Sequence, residues 1–131
     1  MTNQDFSESY LKTAIQILDE ARAHFQKKNW HLVVRRCQEA VELCLKAWLR
    51  RAAVEVPKIH DVGIMFKKEA HRFPGFPIDL IVSTSRRLRE EREISIYGDE
   101  VTETPAEELY SEGDAQSALE AADKILSWQS P

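Results

Sequence analysis

The densest group of side chains suited to chemistry is Arg86-Arg87-Leu88-Arg89-Glu90-Glu91-Arg92, followed by Glu93-Ile94-Ser95-Ile96-Tyr97-Gly98-Asp99. On a continuous helix Arg89 and Arg92 stand three residues apart and share a face with Ser85 and Ile96. Two fork-shaped guanidiniums on one face suit phosphate recognition. They equally suit the neighbouring Glu90, Glu91 and Glu93. Ser95 and Tyr97 are the candidates to line such a site beside Arg89 and Arg92, because a tyrosine can donate a hydrogen bond to phosphate or stack on a base.

Two further groups carry polar chemistry. Gln38, Glu42 and Lys46 follow one another at four-residue steps, and Glu42–Lys46 has the favourable orientation for a helical ion pair. His60 precedes Asp61 in Pro57-Lys58-Ile59-His60-Asp61. An imidazole there can transfer protons near neutral pH, or can pack at a helix start and hydrogen-bond a carbonyl. His24, His31, His60 and His71 are dispersed, and HExxH, CxxC and Gly-rich phosphate loops are absent from the sequence. No metal site and no cofactor are expected.

These side chains need helices to hold them. A first helix is predicted from about Ser7 to Lys27, capped by Asp5 or Ser7, with Lys27-Lys28-Asn29 as its end. The second is the strongest pattern: Trp30, Val34, Cys37, Val41, Cys44 and Trp48 alternate at four and three residues, widened by Val33, Leu45 and Leu49. So broad an apolar arc points to more than one packing neighbour and to a dimer. Cys37 and Cys44 lie two turns, ~10 Å, apart on that stripe, too far for a mutual disulfide, so both are expected as buried thiols.

Asp61 is placed as the cap of a third helix running to about Ala70, and residues 71–77 read as a loop broken by two prolines and a glycine. Pro77 is the expected first residue of a fourth helix reaching about Ile96, with Gly98 ending it in a left-handed conformation. Thr104 and Pro105 open a short helix, and Asp114 caps a last one whose inner face is Ala118, Ala121, Ala122, Ile125, Leu126 and Trp128. No segment alternates with period two. The expected fold is an all-α, up-down bundle of four to five helices plus a short extra helix, in a single domain over residues 1–131.

Composition agrees. The chain has 131 residues, 43% hydrophobic and 31% charged, with 4 Gly and 5 Pro, which excludes collagen-like and low-complexity classes. No apolar run approaches the ~20 residues of a membrane span. The N-terminus has no signal-peptide pattern, and two cysteines without one point to reduced thiols in the cytoplasm. The net charge of −4 is unevenly spread: −2 over residues 1–26, +7 over 27–92 and −9 over 93–131. The basic middle can attract a nucleotide or a phosphate backbone, or can pair with the acidic C-terminal segment.

In this order, the features resemble the HEPN domain family, small helical proteins named for nucleotide binding in higher eukaryotes and prokaryotes. The resemblance covers nearly the whole chain. It rests on Gln38, Ala40, Glu42, Leu45, Lys46, Ala47 and Leu49, on Pro57, His60 and Asp61, and on the arginine leading into Tyr97-Gly98-Asp99. It implies a homodimer pairing near the end of the fourth helix, and a minimal nucleotidyltransferase as companion in a toxin–antitoxin-like pair.

Many similar proteins are metal-independent ribonucleases that use an Arg, four to six residues, then a His. Arg92 stands at the Arg position, but the residue five later is Tyr97, and no histidine follows His71. A phenol, with its ordinary pKa near ~10, is a poor general base at neutral pH. On one continuous helix Arg92 and Tyr97 would also lie about 140° apart. They converge only if the helix breaks near Ile96.

The expectation is therefore a dimeric, non-catalytic module for a nucleotide, an RNA phosphate or a nucleotidyltransferase. The alternative is an RNA endonuclease with a degenerate Arg-x4-Tyr motif, in which Arg92 stabilises charge and Tyr97 or His60 handles the proton.

Overall fold

A computed structural model describes residues 2–55 and 61–128. The described chain is helical apart from turns and an isolated antiparallel bridge between Asp99 and Thr104. Its elements are α1 (Asn3–Gln26), α2 (Trp30–Arg51), α3 (Val62–Lys68), a 3-10 turn (Ala70–Arg72), α4 (Ile78–Glu90), α5 (Ile94–Tyr97), α6 (Ala106–Leu109) and α7 (Glu112–Leu126). The four longer helices α1, α2, α4 and α7 run up, down, up and down, and α3, α5 and α6 are short inserts between them. The expected bundle is present.

Helix α1 starts earlier than the apolar pattern suggests. Thr2 is its N-cap: the Thr2 hydroxyl accepts from the Asp5 amide, and the Asp5 carboxylate accepts from the Thr2 amide. This reciprocal box satisfies two otherwise orphaned donors, so Asp5 serves from within the helix and Ser7 lies buried. The other end is a Schellman turn. Lys28 sits at φ 63, its amide donates to Phe25 O, and that of Asn29 donates to His24 O. Helix α2 ends in the same way without a glycine, on Ala53 at φ 59, with Val54 N donating to Leu49 O.

Helix α2 is the central element, and every other α-helix touches it. Eleven of its residues are buried, among them Val33, Cys37, Val41, Cys44, Leu45 and Leu49. The other helices of the same chain thus cover the wide apolar arc that the sequence offered as grounds for a dimer. Alanines 115, 118 and 122 on α7 have no side chain beyond Cβ, which lets that helix approach α2 closely. Around the far end of α2, Trp48, Phe66, Phe73 and Phe76 form one aromatic cluster, with Phe66 and Phe73 stacked at 4.2 Å.

Several expected boundaries shift. Asp61 does cap α3, accepting from Gly63 N at 2.8 Å, but the helix ends at Lys68 and a 3-10 turn replaces its last residues. Pro77 is the residue before α4 rather than its first. Pro105, not Thr104, precedes α6. Ser111 caps α7, with Asp114 as the third residue of its capping box. On α7, Leu119 is buried, whereas Ala121 is only partly so. The fourth helix stops at Glu90 instead of Ile96, because residues 91–93 form a turn before α5. Gly98, expected to end the fourth helix in a left-handed conformation, ends α5 instead, at φ 77 and ψ −171, a positive-φ conformation outside the left-handed helical one.

Candidate functional site

The end of α4 and the short α5 lie beside the first turns of α2, and three tertiary contacts fix them there. Arg35 of α2 donates from Nη1 to the Arg92 carbonyl. Tyr110, just after α6, donates its hydroxyl to the Glu91 carboxylate. Arg87 Nη1 donates to the Ser117 hydroxyl of α7 at 3.3 Å. The turn at 91–93 is pinned from both sides, and there the helical phase is reset.

Arg89 projects towards the start of α3. Its Nη1 lies 3.5 Å from Asp61 Oδ2, while Asp61 Oδ1 caps α3. One carboxylate therefore terminates a helix and orients a guanidinium. A narrow cleft beneath is lined by Gln38, Glu42, Asp61, Ser85 and Arg89. In it Gln38 Nε2 donates to Glu42 at 2.7 Å; Lys46, one turn further along α2, pairs with Glu42 at 3.6 Å outside the cleft. Gln38 and Glu42 of the polar row read on α2 thus line this cleft.

Arg92 is exposed, and no ion pair involves its side chain among the described residues. Tyr97 is 68% exposed, and Ile94, Ile96 and Val101 are open to solvent near it in the chain. Ser95 corrects an expectation: it is fully buried, and its hydroxyl leans on the Arg92 carbonyl at 3.4 Å. It belongs to the packing under the turn and not to the surface. His60 and Pro57 lie outside the described residues. The break between Arg92 and Tyr97 comes at residues 91–93, earlier than the position near Ile96 that their convergence required, and α5 itself is unbroken from Ile94 to Tyr97.

Sequence reasoning missed Arg35. Its distance of 57 residues from Arg92 and its i, i+4 partner Glu39 at 3.2 Å mark it only as a helix-surface residue. The charge blocks also resolve. Basic side chains of the middle segment pair with acids at Glu20, Glu39, Glu42, Asp61 and Glu69. Among the described residues none forms an ion pair with the acidic C-terminal segment, whose pair with a base is Arg22–Asp123 across α1 and α7.

Among the described residues no cluster of His, Cys, Asp and Glu is arranged to hold a metal ion. Among the described residues no helix is long and apolar enough to cross a membrane. Cys37 and Cys44 are free, buried thiols, and burial pushes both up to about 12.

Three comparisons bear on this arrangement. No curated protein matches the sequence significantly. The fold is similar to the crystal structure of an archaeal HEPN homologue, with a TM-score of 0.71, 25% sequence identity and 93% of each chain covered. The family model for the HEPN domain matches residues 7–130, which include α2, the capped start of α3, and the arginine-bearing turn. The α2 row, the Asp61 cap and the Arg92-to-Gly98 turn are thus parts of one recognised unit, and the chain belongs to the HEPN domain family.

Proposed function

We propose that the chain is a dimeric, non-catalytic binding module that takes RNA phosphate on the surface formed by Arg89, Arg92 and Tyr97. The observation that carries this reading is the exposure of Arg92 and Tyr97: a guanidinium without an ion-pair partner sits on the pinned turn, and a 68% exposed tyrosine ends the short α5 that follows it. Guanidiniums neutralise phosphates, and an exposed aromatic ring offers a base a stacking platform. The +7 middle segment keeps its excess charge, since no ion pair among the described residues joins it to the acidic C-terminal segment. Ile94, Ile96 and Val101 are apolar and exposed in the same region, which supports pairing of two subunits around the basic turn.

Fluorescence anisotropy of a labelled single-stranded RNA, titrated at several salt concentrations, tests the reading. Arg92→Ala should weaken binding roughly 10-fold and reduce the salt slope by about one phosphate contact. Tyr97→Ala should cost about 1–3 kcal/mol of stacking. Sedimentation of the unmodified chain at micromolar concentration should give a dimer, and Ile96→Glu should give a monomer. Unchanged RNA affinity in Arg92→Ala would remove that residue from the site. Loss of RNA binding altogether, with tight capture of a nucleotidyltransferase, would move the function to the partner protein. Arg92-dependent cleavage of the RNA in EDTA would establish the nuclease alternative instead.

A further inference from the structure

A second concave feature lies at the opposite end of α2. It is a cavity of about 540 Å³, within the ~300–1,000 Å³ typical of small-molecule sites. Trp48 near the end of α2, Phe76 before α4 and Trp128 after α7 form its aromatic wall. The rings of Trp48 and Phe76 meet edge-to-face at 5.1 Å, and those of Phe76 and Trp128 at 5.5 Å. Ile15 of α1 stands at the lip, 54% exposed. Trp48 is nearly buried, so the wall is held by the core and is formed before any ligand arrives.

The polar groups at this cavity are donors and cations. Arg51 and Arg72 both line it. Glu69 holds Arg72 through Nε at 2.8 Å, which positions the guanidinium and leaves its two terminal amino groups for another acceptor. An aromatic wall and two guanidiniums call for one kind of occupant: an apolar body carrying an anionic, hydrogen-bond-accepting head.

We propose that this cavity binds a small amphipathic carboxylate of medium chain length, with its tail against Trp48, Phe76 and Trp128 and its carboxylate on Arg72 and Arg51. None of these residues belongs to the Arg89–Arg92–Tyr97 surface, so the proposal stands independently of the RNA reading. The test is a titration of the full chain with octanoate and, separately, with the uncharged octanol. Indole fluorescence is read in a Trp30→Phe background, because Trp30 packs on Phe25 and does not line the cavity. Octanoate should saturate, and Arg72→Gln should weaken it about 10-fold while leaving octanol unchanged. Ile15→Glu, at an exposed position the fold tolerates, should abolish octanoate binding with no change in thermal melting. Absence of a saturable response to octanoate would overturn the proposal. So would equal responses to octanoate and octanol in parent and Arg72→Gln proteins, or octanoate binding that survives Ile15→Glu.

Discussion

Asp61 and Arg89 are joined across the gap between α3 and α4: one carboxylate oxygen caps α3 and the other lies 3.5 Å from the Arg89 guanidinium. The two roles differ in weight. Arg89 is 44% exposed at its side chain, and an ion pair so open to water contributes ~1 kcal/mol or less. The cap hydrogen bond to Gly63 N is the larger contribution, because it satisfies an amide that the helix itself cannot.

Asp61→Ala should therefore destabilise the chain by about 1 kcal/mol, lowering the melting temperature by roughly 3–6 °C. Asp61→Asn, which keeps an acceptor at the cap, should cost less than half of that. Thermal melts followed by circular dichroism separate the two. Equal losses would assign the effect to the ion pair rather than to the cap.

Gly98 and Ala53 make opposite predictions about backbone handedness. At Gly98 the φ of 77 is one that side chains rarely adopt, and an added Cβ would lie 2.4 Å from the Thr104 carbonyl oxygen. Gly98→Ala should cost about 2 kcal/mol or more and loosen the Asp99–Thr104 bridge. Ala53 already bears a Cβ at φ 59, so Ala53→Gly should stabilise by about 0.5–1 kcal/mol. Urea unfolding midpoints measure both, and a shift of the same sign for the two would contradict the account.

Tyr110 should confer an alkaline limit. Burial, and then the Glu91 carboxylate that accepts from its hydroxyl, push the phenol above its ordinary value. A group raised on folding stabilises fully below its unfolded pKa, here ~10, and that contribution is lost as pH climbs beyond it towards the folded value. The stability of the chain should fall as pH climbs above about 10 for this reason. Tyr110→Phe should start less stable at pH 8 and show a flatter alkaline decline in denaturant titrations.

The two thiols should be inert in the native state. With both pushed up to about 12 by burial, almost no thiolate exists at pH 8, and the thiolate is the reactive form. Iodoacetamide at that pH should label neither Cys37 nor Cys44 over an hour, but should label both rapidly in 8 M urea. Rapid native labelling would mean that α2 opens locally far more often than its position at the centre implies.

Helix α2 was readable in the sequence because one side of it is apolar for five turns, and the structure buries that side as the pattern predicts. The end of α4 was not readable. The run from Ile78 to Tyr97 contains neither proline nor glycine. The turn within it coincides with contacts from Arg35 and Tyr110, distant in sequence and invisible to periodicity. Ser95 illustrates the same limit: a polar residue beside exposed arginines reads as surface, yet the resetting of phase at residues 91–93 turns it inward. The helix ends on Lys28 and Ala53 were obscured because neither is the glycine that usually announces a left-handed residue. At the candidate site, residue types and spacing offered Arg89, Arg92 and Tyr97 as candidates and Asp61 as a helix cap, and only the three-dimensional arrangement showed Arg35 on the Arg92 carbonyl and Asp61 beside the Arg89 guanidinium.

Arg35 grips the main chain at position 92 and leaves the side chain there alone. The mount is thus indifferent to what it carries. A lysine, a glutamine or an aromatic residue could replace the guanidinium at that position without disturbing the scaffold beneath, so one codon change would alter the chemistry of the exposed surface and leave the fold untouched.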